Sequence, residues 1–186
     1  TSSLFWNATA ACCNFYGSTI DDVSFLFKLI ELIKSNHNID ANRIYLVGDS
    51  NGGFMALEFA YRFPRLITAV VSSAGASDFK IRAPLKSGVH ALQIQGTNDS
   101  SILYSGGMIG GIAYPGLEAS TRQWVKYNEC SEIAKEVSYK DLFSTIAGLE
   151  TEVVTYNTGC LQDGSSEIWS IVGGGHGLGR PVSSSN

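Results

Sequence analysis

Gly48-Asp49-Ser50-Asn51-Gly52 lies between a run of strand formers and a helical repeat, and no other stretch limits so sharply what this chain can fold into. Before it, Arg43-Ile44-Tyr45-Leu46-Val47-Gly48 is short, apolar and rich in β-formers, as expected of a buried parallel strand. After it, residues 51–63 place Phe54, Leu57, Phe59 and Ala60 at helical spacing, and Pro64 stops the repeat because its ring cannot continue an α-helix. The pentapeptide must therefore turn the chain from strand to helix within a few residues. A serine at such a corner is forced into a strained backbone conformation, and the small residues two positions to either side are expected to let neighbouring chains approach closely.

The same alternation continues. Residues 66–73 and 89–95 read as two more apolar strands, separated by a loop holding Gly75, Pro84 and Gly88. Residues 117–127 follow as a helix, then residues 151–156 and 167–172 as strands. This rhythm predicts an α/β fold: a mostly parallel sheet with flanking helices. Residues 19–35 are apolar enough for a helix buried on more than one side. Thr19 with Asp22 resembles a capping box, which explains Asp21 and Asp22 as a helix start rather than as catalytic groups. Gly106-Gly107-Met108-Ile109-Gly110-Gly111 lacks the spacing of a phosphate-binding loop and reads as a mobile surface loop. With 186 residues, 44% of them hydrophobic, the chain is expected to form one domain over 1–186, with a disordered Ser-rich tail at 181–186.

Several classes of function are disfavoured. Charged residues make up 16% of the chain, the net charge is −4, and Lys and Arg are scattered, so nucleic acid is not an expected partner. The longest apolar stretch, residues 66–74, is far short of the ~20 residues a membrane helix needs, so no membrane partner is expected either. Cys12, Cys13, Cys130 and Cys160 lack the paired spacing of a zinc site, and only three histidines accompany them; neither a metal nor another cofactor is expected. An even cysteine count with two members far apart suits a disulfide and a secreted or periplasmic location. Four free thiols in a cytosolic enzyme is the alternative.

Placed between strand and helix, Ser50 is a candidate nucleophile. Its hydroxyl would stand clear of the sheet at the amino end of the next helix, where the Asn51 N–H and the helix dipole favour a developing oxyanion. A serine hydroxyl needs a base in reach and a third group to hold that base. In folds built around this corner the acid and then the histidine follow the serine in sequence. His176, in the loop opened by Gly173-Gly174-Gly175, is the late histidine; His37 reads as a solvated loop residue and His90 as a structural one. Asp99 follows strand 89–95 through Gly96-Thr97-Asn98, whereas its rivals Asp78, Asp141 and Asp163 read as surface or turn residues.

Taken in order, Asp21-Asp22-Val23, Asp40 with Arg43-Ile44-Tyr45, Gly48-Asp49-Ser50-Asn51-Gly52-Gly53-Phe54-Met55, Gln95-Gly96-Thr97-Asn98-Asp99, Trp124 with Cys130, and Gly173-Gly174-Gly175-His176 resemble the polyhydroxybutyrate depolymerase and feruloyl esterase group of α/β-hydrolases. The resemblance runs from about Trp6 to Gly177. It implies a secreted, cofactor-free serine esterase acting through an acyl-enzyme on polyhydroxyalkanoate, feruloyl or acetyl esters, and a disulfide between Cys130 and Cys160. It also implies strands and a His-Gly oxyanion loop ahead of Thr1, and a helix beyond His176, that nothing here matches, so a hydrolase truncated at both ends is expected. Without the second oxyanion donor, turnover is expected to fall by the order of 100- to 1,000-fold. The unmatched β-strand neighbour would leave residues 43–48 as an apolar edge prone to association, and the pairing of Cys12 and Cys13 stays open. A serine peptidase of the same fold and a non-catalytic binding protein on a degraded hydrolase scaffold are the alternative readings.

Overall fold

A computed structural model describes residues 4–80 and 82–177; the tail at 181–186 lies outside them. The elements run α1 (Asp22–Asn36), β1 (Tyr45–Asp49), α2 (Asn51–Arg62), β2 (Ala69–Ser73), β3 (His90–Gly96), β4 (Gly106–Ile109), β5 (Ile112–Pro115), α3 (Leu117–Tyr127), β6 (Glu136–Lys140), β7 (Thr151–Tyr156) and β8 (Ser165–Ile171). Six strands form one sheet in the order β1-β2-β3-β8-β7-β6. Its first four strands are parallel, while β7 pairs antiparallel with both β8 and β6. The mostly parallel α/β architecture expected from the sequence is thus the one observed.

Alternation along the strands decides where the core lies. Leu46, Val70, Ala91 and Ser166 share one row of the sheet, and α2 and α3 cover that face with Leu57, Phe59, Ala60, Trp124 and Tyr127. Burying a side chain such as Leu57 or Phe59 contributes ~1.5–3 kcal/mol. The neighbouring row on the opposite face, Val47, Val71, Leu92 and Glu167, is exposed or half-buried. Helix α2 is further bolted to the loop after β2 by Arg82, which bonds Glu58 Oε2 at 2.6 Å and Asp78 Oδ2 at 2.8 Å and lies over the Tyr61 ring. Burial works against the Arg82 charge, yet the hydrogen bonds to Glu58 and Asp78 outweigh it and hold its pKa above the ordinary range. Asp78 is therefore a buried ion-pair member, not the surface or turn residue expected.

Behind the sheet's far end, fully buried Asn128 follows α3. Its Oδ1 accepts the Val89 N–H at 3.0 Å, and its Nδ2 donates to the carbonyls of Val89 at 2.8 Å and Ser165 at 3.0 Å. Cys130, two residues on, is bonded to Cys160. This linkage closes a loop over a sequence separation of 30 residues and packs with Val125 and Tyr156. Cys12 and Cys13 are bonded to each other, which answers the pairing left open by the sequence.

Three local expectations need correction. The cap of α1 is Asp21, whose carboxylate accepts the Ser24 N–H and hydroxyl, rather than Thr19; the Ser24 hydroxyl, then its amide, hold the Asp21 pKa below the ordinary range. In α1 only Val23 is fully buried, and Phe25, Leu29, Leu32 and Ile33 are exposed, because the helix packs on α2 along one narrow side. The glycine stretch at 106–111 is not a mobile loop: β4 and β5 pair antiparallel there. Gly110 (φ +56°) and Gly111 (φ +82°) supply the two consecutive positive φ values that a tight two-residue hairpin turn demands. Finally, β6 had no expectation at all; it is a short outer strand with a mostly exposed pattern.

Among the described residues β1 has no strand on its outer side, and its Val47 is 74% exposed on the sheet face away from α2 and α3. The chain of residues 1–186 is accordingly expected to self-associate, and Val47→Lys to raise the monomer fraction in size-exclusion chromatography with light scattering; an unchanged profile would refute the edge as the cause. Cys130→Ser is expected to lower unfolding free energy by about 3.6 kcal/mol in denaturant titrations, the entropy of closing a loop of that length. A non-reduced peptide map should recover the two cysteines linked.

Candidate active site

The corner at Ser50 is built from close backbone contacts. Ser50 has φ 52° and ψ −120°, and stands at the N-cap of α2. Its N–H donates to the Ser73 carbonyl at 2.8 Å, and its own carbonyl accepts the N–H groups of Gly53 and Phe54. A Cβ at Gly48 would run into the Gly52 carbonyl, so only glycine fits two positions ahead of the serine. The close approach expected at Gly52 occurs instead at Gly53, where a Cβ would lie 2.7 Å from Ser72 Oγ and 3.1 Å from Gly75 Cα; Gly52 faces open space. The helix thereby presses its first turn against the end of β2, and the serine is carried past the sheet edge.

Two further loops converge on the serine because β3 and β8 are parallel neighbours and end together, with Gly96 opposite Ile171. Asp99 leaves the first strand and His176 the second. The two loops are cross-tied: Thr97 N–H donates to the Ile171 carbonyl, Asn98 N–H to the Gly174 carbonyl, and Gly173 N–H to Thr97 Oγ1, each at 2.9 Å. In consequence His176 Nε2 lies 2.9 Å from Ser50 Oγ, while His176 Nδ1 lies 2.9 Å from Asp99 Oδ2 and 3.0 Å from Oδ1. The Asp99 side chain is fully buried, whereas that of His176 is 31% exposed. The Ser101 and Ile102 N–H groups donate to Asp99 Oδ1, and Gln95 Nε2 donates to Oδ2 at 3.3 Å.

The other carboxylates and histidines singled out from the sequence are elsewhere. Asp78 pairs with Arg82, Asp141 follows β6 in an exposed stretch, and Asp163 occupies a positive-φ turn between β7 and β8. His90 Nδ1 sits 2.9 Å from Ser165 Oγ, and His37 caps the end of α1. Among the described residues no group of three or more His, Cys, Asp or Glu side chains gathers as a metal site.

Asn51 has a part that its position alone did not reveal. Its backbone N–H opens α2 and has no acceptor among the described residues. Its side chain forms a two-way latch, Oδ1 accepting the Trp6 N–H at 2.6 Å and Nδ2 donating to the Trp6 carbonyl at 2.8 Å. The segment from Phe5 to Cys13 is thereby held beside the start of α2, packed on Phe54 and Tyr114. Gln95 was also missed as a site neighbour. Its signal is legible in retrospect, a polar amide in an otherwise apolar buried strand.

Comparisons with known proteins agree with this architecture. The sequence model of the Prolyl oligopeptidase family matches residues 18–86. The chain is 27% identical over 144 residues to feruloyl esterase B of Piromyces equi, a match covering 70% of this chain and 25% of that protein. An acetyl xylan esterase from Aspergillus awamori superposes with a TM-score of 0.63 at 12% identity, covering 86% of this chain and 63% of the other. The chain thus spans a quarter of the length of the first relative and less than two thirds of the second. With its mostly parallel sheet, the corner at Ser50 and these matches, the chain is a protein of the α/β-hydrolase fold, similar to esterases of the carbohydrate-esterase-like group.

Proposed function

We propose that this protein is a serine carboxylic-ester hydrolase acting on feruloyl or acetyl esters of the plant cell wall. The observation that carries the reading is the imidazole of His176, within 2.9 Å of Ser50 Oγ on one side and of the Asp99 carboxylate on the other. The names of the two esterase relatives support the substrate class. Polyhydroxyalkanoate, the other ester class in the sequence resemblance, has no counterpart among those names and ranks behind them.

Ser50 Oγ attacks the ester carbonyl carbon as His176 Nε2 takes the hydroxyl proton. The carbonyl π electrons move onto oxygen, where the unoccupied Asn51 N–H and the amino end of α2 stabilise the negative charge. Asp99 accepts the Nδ1–H, fixing the tautomer that leaves Nε2 basic, and stabilises the imidazolium formed. Collapse of the tetrahedral intermediate expels the alcohol, protonated by His176, and leaves an acyl-serine. Water then repeats the sequence with His176 as base and releases the acid. Asp99 is buried, whereas Ser50 and His176 are half-buried, so the ester reaches the serine and imidazole while the carboxylate stays shielded from water.

The bonded pairs Cys130–Cys160 and Cys12–Cys13 support a working place outside the cell or in the periplasm. No helix among the described residues is long and apolar enough to cross a membrane. The match of residues 18–86 to a peptidase family favours one second reading, an amide-cleaving enzyme of the same fold. Initial rates on p-nitrophenyl acetate, methyl ferulate and peptide p-nitroanilides separate the two, and turnover of the amides at or above the ester rate would replace the first reading by the second.

A fluorophosphonate is expected to label Ser50 covalently. Ser50→Ala should abolish labelling, and His176→Ala or Asp99→Asn should lower kcat about a thousandfold or more; labelling that survives Ser50→Ala would sink the proposal. Ser50→Gly is expected to abolish hydrolysis yet raise unfolding free energy by about 1 kcal/mol, because glycine adopts the positive φ without the steric cost. Thermal and denaturant melts against Ser50→Ala check this, and equal stability of the two variants would show that the corner is unstrained.

A further inference from the structure

Gln95 is the next-to-last residue of β3 and is 2% exposed. Its side chain lies on the sheet face covered by α2 and α3, where a primary amide is costly unless its donors are paired. Both are used: Nε2 donates to Asp99 Oδ2 at 3.3 Å and to the Ile102 carbonyl. These acceptors stand at the two ends of the turn that presents the acid. The turn's own amides, those of Ser101 and Ile102, both bind Oδ1. That leaves Oδ2, the oxygen closest to His176 Nδ1, with Gln95 as its donor from the rigid sheet.

We propose that Gln95 is a positioning residue: it sets the rotation of the Asp99 carboxylate and, through it, the direction in which the His176 Nδ1–H points. This rests on the reading of Ser50, His176 and Asp99 as the ester-hydrolysing group. Without the amide, Oδ2 is held by the imidazole alone, and the 99–102 turn is no longer tied to the strand that carries it. The carboxylate then turns about its Cβ–Cγ bond and the imidazole swings with it, away from Ser50 Oγ. Gln93 provides an internal contrast. It lies on the same face two residues earlier and is fully buried, but its Oε1 accepts the Ser120 hydroxyl and touches neither Asp99 nor His176.

The test compares Gln95→Met, of similar length but without donors, and Gln95→Glu, whose carboxylate repels Asp99, with Gln93→Met as the buried-glutamine control. Steady-state kinetics on p-nitrophenyl acetate, thermal melts and the downfield proton NMR signal of the His176 Nδ1–H are read together. For Gln95→Met, kcat is expected to fall about ten- to a hundredfold with KM changed less than about twofold, and the Nδ1–H signal to broaden through exchange with water. Gln95→Glu should fall further. Gln93→Met should lower the melting temperature while kcat and the signal stay as in the unaltered chain. A folded Gln95→Met with unaltered kcat and signal overturns the inference. So does rapid solvent exchange of the Gln95 side-chain amide protons in the unaltered protein, a measurement that needs no variant to fold. If Asp99→Asn also keeps full activity, the reading of Ser50, His176 and Asp99 as the ester-hydrolysing group has failed; if Asp99→Asn is inactive while Gln95→Met is not, only the role of Gln95 falls.

Discussion

The arrangement depends on a single backbone constraint, the positive φ that Ser50 holds between the end of β1 and the start of α2. Such a conformation costs on the order of 1–3 kcal/mol for a residue with a side chain and persists only where its surroundings enforce it. Here the enforcement comes from both sides. The Ser50 N–H is fixed to the β2 carbonyl of Ser73, and glycine at positions 48 and 53 lets strand and helix close to backbone contact. The strain turns the hydroxyl out of the sheet and points the helix's first free N–H in the same direction. A relaxed serine at this position would continue either strand or helix, and in both cases its oxygen would lie among neighbouring atoms rather than beside an imidazole.

What the sequence conveyed follows from the range over which each signal acts. The corner at Ser50 was legible because strand formers, small residues and a helical repeat are all local. The positions of Asp99 and His176 at the ends of later strands follow from chain order, and the structure sets the His176 ring within hydrogen-bond distance of both Asp99 and Ser50. Whether a side chain is covered, by contrast, depends on segments far away. Periodicity identified α1 as a helix but carried no information about how little of its apolar surface α2 would reach. Asp78 read as exposed because its partner Glu58 and the shared Arg82 are joined only in three dimensions.

The hairpin had a different cause. Gly110-Gly111 between Ile109 and Ile112 has the composition of a two-residue reverse turn, but the extra glycines at 106 and 107 masked the strand signal. Its placement matters for the site. Tyr114 of β5 packs edge-on against Phe54 in the first turns of α2, and its hydroxyl accepts the Leu103 N–H just past the turn at Asp99. Ser50 and Asp99 are thus braced by the same hairpin, although they lie on separate loops of the sheet.

Asn128 has an effect far from where it sits. Its one amide grips the beginnings of both β3 and β8, each seven residues long, and those strands deliver Asp99 and His176 roughly 23 Å away at their other ends. Parallel strands have no connecting turn to dictate their stagger, and a slip of one residue shifts a chain by about 3.3 Å and exchanges its two faces. Asn128 works as a common datum from which both strands are measured. The spacing between carboxylate and imidazole is thereby gauged at the opposite pole of the molecule, by a side chain that never meets either of them.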